Sequence, residues 1–486
     1  MSLKEKTLYG LSWSFADNFI SQSVSLIVGI VLARMLAPSE FGVIAYITFF
    51  VAISSSLVDC GFTSALIRKN DCTSTDYSTV FYYNLAVGIL LYLLLLFLAP
   101  LAESFFEVPG FSLILRIAGL TLVINALGSI HQTQLTKRID FKTKTKITLS
   151  SNILAGIIAI ILAYKGFGVW SLVWRTLLGQ IFTSVLLWVY NDWHPGIVFS
   201  TKSFKELFGF GYKMALSGLI DTIFGNIFYP IIGKNFSPDT LGQYTKASEF
   251  KSIFSQTLTF NIQRVTYPVL STLQNDPAKL KLGYRKLIKS TMMVTFSCML
   301  GLAAVAKPMI LILIGEQWLP CVPYLQLGCL SSMFYPLHAM NLNIIQVAGR
   351  SDLFLKLEII KKALYIPLIY IGIYFGVIAL LIANIVYSII AYLFNSYYSA
   401  GLIRYPTKEQ IMDILPFLLV SLSVSALVWC ISFLEWNNWL TIILQVGAGA
   451  LLTIAVYELM NQSDYQEIKQ IVLQFLGKVT GKRFIQ

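Results

Sequence analysis

Along most of the chain, apolar residues run in blocks of twenty or more, separated by short polar turns. A helix of that length crosses the hydrocarbon core of a bilayer, about 30 Å thick, at about 1.5 Å rise per residue. The pattern predicts fourteen such spans: 9–34, 41–66, 79–102, 111–134, 145–164, 168–190, 208–233, 241–270, 288–314, 321–346, 355–375, 377–401, 411–434 and 438–460. Ten-residue stretches alternating apolar and polar, the mark of a membrane β-barrel, are absent from the sequence. The expected fold class is therefore an all-α polytopic membrane protein. Met1 to Lys6 is short and polar, and the apolar run that follows outlasts any signal-peptide core, so a cleavable signal is not expected.

One polar interruption occurs twice. Arg34-Met35-Leu36-Ala37-Pro38-Ser39-Glu40-Phe41-Gly42 returns at an offset of 200 as Lys234-Asn235-Phe236-Ser237-Pro238-Asp239-Thr240-Leu241-Gly242. Each copy places a cation, then Pro, then Gly between two membrane-length runs; Pro resists helix continuation and Gly frees the backbone. Other pairs extend the match. Arg138-Ile139-Asp140-Phe141 is echoed by Arg350-Ser351-Asp352-Leu353, and Gly168-Val169-Trp170 by Gly376-Val377-Ile378. These pairs superpose spans 1–6 on spans 7–12. Six is even, so both copies enter the membrane from one side and form parallel repeats. The expected division is a first lobe at 1–203, a second at 204–403, two extra helices at 404–460 and a tail at 461–486.

Charge fixes the expected orientation. The formal net charge is +12, and in a soluble chain that excess would suggest nucleic acid. Here Lys and Arg collect in alternate turns: Arg68 and Lys69, Lys137 to Lys146, Lys202 and Lys205, Lys279 to Lys289, Arg350 and Lys356, Arg404 and Lys408. The other turns hold little more than Lys165 and Lys234, with Glu103, Glu107, Glu316 and Glu435. The positive-inside rule places the first set, and both termini, in the cytoplasm. Composition agrees with a membrane solvent: 56% of residues are hydrophobic, and 12% are charged against about a quarter in soluble chains. The six cysteines have no metal-binding or CxxC spacing, and five of them sit in or beside apolar segments, so buried thiols are the expectation. Three scattered histidines argue against a histidine metal centre. No Walker motif, Gly-rich phosphate loop or large outward loop with paired carboxylates is present, so no catalytic residues, no metal and no cofactor are expected.

Polar residues inside the spans mark the candidate path. Asp17, Asn18, Ser21, Gln22, Ser25 and Gly29 form a stripe on span 1; Ser217, Gly218, Asp221, Thr222, Gly225 and Asn226 form another on span 7. An ionised Asp at the bilayer centre costs about 3 kcal/mol on insertion scales, so it should face a wet cavity or a partner. The competing reading is a packing face of small residues with satisfied hydrogen bonds. Further candidates for the cavity are Asp59, Asn125, Arg175, Lys213, Lys251, Arg264 and Asn341. Lys246 and Glu249 lie three apart and can pair with each other.

Ala33 to Gly42, Asp59-Cys60-Gly61-Phe62-Thr63-Ser64-Ala65-Leu66-Ile67 and Gly166-Phe167-Gly168-Val169-Trp170-Ser171-Leu172-Val173 together carry a family likeness. So do Tyr267-Pro268-Val269-Leu270-Ser271-Thr272-Leu273-Gln274, Pro336 to Asn341 and Gly349 to Asp352. In this order, over residues 1–410, the chain resembles the polysaccharide-exporting branch of the MOP exporter superfamily, in particular Wzx-type lipopolysaccharide and capsule or colanic acid flippases. The resemblance implies a bacterial inner-membrane flippase that moves an undecaprenyl-pyrophosphate-linked oligosaccharide outward by alternating access between two lobes. Its implied partners are that lipid-linked oligosaccharide, membrane lipids and other polysaccharide assembly proteins, with a monomer as the expected state. Arg175, Lys213, Lys251 and Arg264 are then candidates for the pyrophosphate. The drive is left open between membrane potential and entry of H+ or Na+ at Asp17 and Asp221. The alternatives are a cation-coupled small-molecule exporter of the MATE branch and a polytopic glycosyltransferase or polymerase of the same pathway. Both copies of the repeated turn fall on the outward side. Arg34, Pro38, Gly42, Lys234, Pro238 and Gly242 are therefore expected at an outer gate, with Glu40 and Asp239 as partners for the two cations.

Overall fold

The computed structural model describes residues 3–272, 276–347, 350–434, 436–460, 462, 464–466 and 469–470. Side chains are described from Phe19 onward, except at 210, 213–214, 258, 260–269, 271–272, 277, 346, 351–352 and 354–355. The helices are α1 (Leu3–Met35), α2 (Pro38–Asp59), α3 (Phe62–Arg68), α4 (Ser74–Phe106), α5 (Phe111–Lys137), α6 (Phe141–Tyr164), α7 (Val169–Tyr190), α8 (Thr201–Asn226) and α9 (Phe228–Asn235). They continue with α10 (Pro238–Thr272), α11 (Pro277–Ala304), α12 (Ala306–Leu313), α13 (Cys321–Ser332), α14 (Tyr335–Val347), α15 (Ser351–Phe375), α16 (Val377–Ile403), α17 (Thr407–Cys430) and α18 (Asn438–Leu459). No strand occurs among the described residues. The protein is all-helical, as the apolar blocks require: in hydrocarbon a helix satisfies its own backbone.

Among the described residues, ten helices are long and apolar enough to cross a membrane. The sequence pattern predicts more, for identifiable reasons. The stretch 241–270 lies in α10, which carries Lys246, Glu249 and Lys251, and 355–375 lies in α15, which carries Glu358, Lys361 and Lys362. The block 321–346 breaks into α13 and α14. Phe19–Met35 is apolar but short as described.

The chain forms two compact units, Met1–Thr245 and Lys246–Gln486. The division falls inside α10, downstream of the 203/204 boundary that the repeat predicts. The reason is local: α2 packs on α4, α5 and α7, and also on α8 and α9. At one end of α2 the chain reverses through Cys60 and Gly61, both with positive φ (43° and 73°). A β-carbon on Gly61 would lie 2.2 Å from the Gly211 carbonyl oxygen of α8. Phe62 packs there at a tilt against Tyr83, Phe204 and Phe208, and Lys69 bridges Asp76 of α4 to Glu206 of α8. Further along α2, the buried Tyr46 hydroxyl donates to the Gly233 carbonyl of α9 at 2.9 Å. The same α9 is tied to the end of α4 by Lys234, whose ammonium donates to Glu107 at 2.8 Å. The seventh apolar block is thus clamped to the first unit along its length.

In the second unit α11 packs on α13, α14 and α17, and α18 packs on α12 and α17. Charges at the cytoplasm-assigned end fasten α17 to α11. Arg285 makes a two-pronged contact with Asp413 at 2.6 and 2.7 Å, and Lys281 donates to Glu409 at 2.8 Å. A bidentate guanidinium–carboxylate pair is the strong form of such a contact. It explains how a pair of helices outside the sequence repeat becomes part of this unit.

Two outcomes test this packing. Gly61→Ala combines left-handed strain, about 1–2 kcal/mol, with overlap on Gly211. Gly110 has a similar φ of 76° but nothing within 4 Å of its β position. Thermal unfolding in detergent should therefore show Gly61→Ala destabilised well beyond Gly110→Ala; equal effects would contradict the α3–α8 contact. The second outcome concerns pH. The hydrogen bond from Lys234 holds the Glu107 carboxyl below its ordinary value of 4.5. A carboxylate with a lowered value contributes while ionised, so the α4–α9 tie is present above that ordinary value and is lost as pH falls through the lowered one. Amide exchange in α9, corrected for intrinsic rates, should rise at acid pH in the wild type. In Glu107→Gln it should already be raised at neutral pH and stay level.

Candidate functional site

The repeated turn becomes a single structural feature. Both α2 and α10 begin with proline, whose φ is already set for the first helical position. Their free N–H groups are capped differently. The Glu40 carboxylate accepts the Ala37 N–H at 2.8 Å, whereas the Ser237 hydroxyl accepts the Thr240 N–H at 3.1 Å. The two first turns then cross backbone against backbone. A β-carbon on Gly42 would lie 1.9 Å from the Pro238 carbonyl oxygen, and one on Gly242 would lie 1.8 Å from the Pro38 carbonyl oxygen. Each glycine stands one helical turn after its own proline and faces the other copy's proline. The contact is reciprocal, and any side chain at either glycine would push the helices apart. Small residues allow such approach between membrane helices, with Cα–H···O contacts in place of side-chain packing.

Aromatic packing backs the crossing. One turn beyond Gly42, the Tyr46 ring packs on Phe106 and Phe111, and a β-carbon on Gly233 would lie 1.9 Å from that ring. The expected pairing of the cations with Glu40 and Asp239 is corrected at Lys234. Its partner is Glu107, and its ammonium also lies 5.0 Å above the Phe105 ring. The Glu40 carboxylate caps its own helix instead. Glu107, in the left-handed C-cap of α4 with φ 58°, is marked by the sequence only as an acidic turn residue, because no spacing signal links it to position 234.

The polar candidates within the helices separate by what holds them. Arg175 of α7 reaches the stripe on α1, donating to the Ser25 carbonyl and hydroxyl at 3.2 Å each. Gln22 is half-buried on the same stripe, Asn125 is half-buried on α5 and Asp221 is exposed on α8. Asp59 serves the α2–α3 reversal, where its carboxylate accepts the Thr63 N–H at 3.2 Å and the Thr63 hydroxyl. Asn226 donates to the Thr222 carbonyl of its own helix at 2.8 Å. Asn341 is fully buried, donating to Leu337 at 2.9 Å and accepting from the Ser399 hydroxyl at 2.5 Å. It joins α14 to α16. The Lys251 stem lies against Gly328, where a β-carbon would meet its Cδ at 2.9 Å. The side chains of Asp17, Asn18, Lys213 and Arg264 lie outside the described residues.

One polar centre in the second unit was not legible in the sequence as a group. Ser388 donates to the Ser331 carbonyl at 2.9 Å, so its oxygen accepts from His338 Nε2 at 3.1 Å. Asn384 donates to the Ser331 hydroxyl at 3.2 Å and accepts from the Tyr365 hydroxyl at 2.7 Å. Lys361 donates to Glu358 at 2.5 Å beside them. These bonds join α13, α14, α15 and α16. A polar group buried in hydrocarbon needs such a partner, so this network reads first as helix-to-helix fastening.

Comparison with known proteins gives this geometry a context. TuaB of Bacillus subtilis, a teichuronic acid biosynthesis protein, is 25% identical over 354 residues, covering 72% of this chain and 73% of its own. The lipopolysaccharide biosynthesis protein WzxC of Escherichia coli is 25% identical over 378 residues, covering 76% of each chain. The fold is similar to that of the Lipid II flippase MurJ in its inward closed conformation, with a TM-score of 0.75 at 16% identity over 93% of this chain and all of that one. The model of a family described as polysaccharide biosynthesis protein matches residues 31–323, more than half of the chain, and the chain belongs to that family.

Proposed function

We propose that this protein is a flippase that carries an undecaprenyl-pyrophosphate-linked oligosaccharide from the cytoplasmic to the outer leaflet of a bacterial inner membrane, for O-antigen, capsule or exopolysaccharide assembly. The observation that carries the reading is a lipid-flippase fold in a chain of a polysaccharide biosynthesis family. On this reading both termini are cytoplasmic and the two sequence repeats act as the alternating lobes. Arg175 attracts the pyrophosphate, and Gln22, Asn125 and Asn226 offer hydrogen bonds to the sugars. An inside-negative potential favours outward movement of an anion by about 2.3 kcal/mol per charge per 100 mV.

The Pro38–Gly42 and Pro238–Gly242 crossing is the outer gate, held closed by backbone contact. A gate of this kind suits a bulky cargo. Its two glycine–proline contacts are backbone on backbone, and opening it also releases the Tyr46 bond to Gly233 and the Lys234–Glu107 pair beside it. The glycines make closure possible, and larger residues there would hold the gate ajar.

Deletion of the gene should abolish the surface polysaccharide and leave a complete lipid-linked oligosaccharide on the cytoplasmic leaflet. Accumulation of a truncated glycan, or of a complete one already facing outward, would instead indicate a transferase or polymerase. Gly42→Leu and Gly242→Leu, expressed at wild-type levels, should each cut export at least tenfold, and Asp221→Asn should also impair it. Wild-type surface glycan in both glycine variants would remove the crossing from the mechanism.

A further inference from the structure

Beside the crossing, α2, α4 and α9 enclose a groove of about 680 Å³. Phe49 and Phe50 of α2, Leu101 and Phe105 of α4, and Pro230 of α9 form its apolar walls, with Lys234 at one end. Leu101 is 64% and Phe105 54% exposed, so the groove opens sideways, where a membrane helix meets lipid. At about 30 Å³ for each water-sized group, the volume holds on the order of twenty such groups, roughly one hydrocarbon chain. Its head is polar in a particular way. The Lys234 ammonium and the Glu107 carboxylate sit side by side, 2.8 Å apart, at the end of α4 assigned to the outer surface. The Glu107 side chain is 78% exposed.

We propose that this groove seats one phospholipid of the phosphatidylethanolamine kind, with its phosphate on Lys234, its ammonium on Glu107 and one acyl chain along α4. The argument is charge complementarity. An adjacent cation and anion match a headgroup that carries an anion and an N–H-bearing cation a few bonds apart. The four charges alternate, and each protein group gains a second partner. An exposed Lys–Glu pair alone is worth at most about 1 kcal/mol, so it can shift to admit the headgroup. A lipid with only a negative headgroup would set a phosphate beside Glu107 without compensation. A choline headgroup brings a cation but no N–H to donate. The occupied groove would fill the space between α4 and α9 and brace α9, which leads directly into the Lys234 to Gly242 turn. The lipid is then a structural component of the closed crossing, whatever the protein transports.

The test is lipid retention. The full-length protein is reconstituted in vesicles of equal parts phosphatidylethanolamine, phosphatidylglycerol and phosphatidylcholine, extracted, and weighed by native mass spectrometry. Phosphatidylethanolamine should be retained about fivefold over the other two, the ratio an exposed ion pair provides. Lys234→Gln and Glu107→Gln should each remove that preference. Leu101→Trp, which fills the groove without touching the headgroup pair, should abolish retention. Phe97→Trp, at a 78% exposed position on the same helix outside the groove, should leave it unchanged. Equal retention of the three lipids, preference for phosphatidylglycerol, or retention that survives Leu101→Trp would overturn the assignment.

Discussion

In the first unit two helix starts that share one sequence pattern meet backbone against backbone. Gly42 against Pro238, and Gly242 against Pro38, leave no room for a β-carbon. Much of the surrounding architecture follows from this contact. If α10 is to begin against α2, the short α9 before it must also lie on α2, and the Tyr46 bond to Gly233 holds it there. If α9 is fixed, so is α8, whose other end meets Gly61 and the Phe62 cluster. The compact unit accordingly runs to Thr245, past the end of the first sequence repeat. The expected repeat and the packing unit need not coincide, because the unit records which surfaces are buried together.

The all-helical class was legible because hydrocarbon leaves the backbone few options, and the two matching turns because Pro and Gly recur at fixed spacing in both. Glycine in particular signals a close approach only when something lies opposite it, and the second copy supplied that partner. Other features were hidden for physical reasons. Glu107 becomes the partner of Lys234 through the meeting of α4 and α9, a long-range contact that no local period announces. The break of 321–346 into α13 and α14 falls between Ser332 and Pro336, a local signal that the length of the apolar block masked. The span expected at 241–270 lies in α10, which carries Lys246, Glu249 and Lys251 in its first half and is not among the ten membrane-length apolar helices of the described residues.

The candidate polar residues illustrate the limit of reading function from polarity. Asp59 and Asn341 look like cavity residues in the sequence, yet each is hydrogen-bonded into the scaffold, one at a helix reversal and the other between α14 and α16. Arg175 differs, because it reaches across to α1 and meets the polar stripe that the sequence marks. The network of His338, Ser388, Ser331, Asn384 and Tyr365 carries as many polar groups as any stripe on α1 or α8, and it was invisible as a unit because its members come from four helices. A polar residue inside a membrane protein is therefore informative only together with the group that satisfies it.

Opening and closing of the glycine–proline crossing is what the proposed transport cycle requires. It is tested most directly by measuring the distance between spin labels at Ser39→Cys and Asp239→Cys, in a protein whose six native cysteines are replaced and which still exports glycan. With lipid-linked oligosaccharide supplied in vesicles, two populations are expected, a short distance for the closed crossing and a longer one that grows with substrate. A single short distance, unchanged by substrate in a protein that still transports, would contradict it.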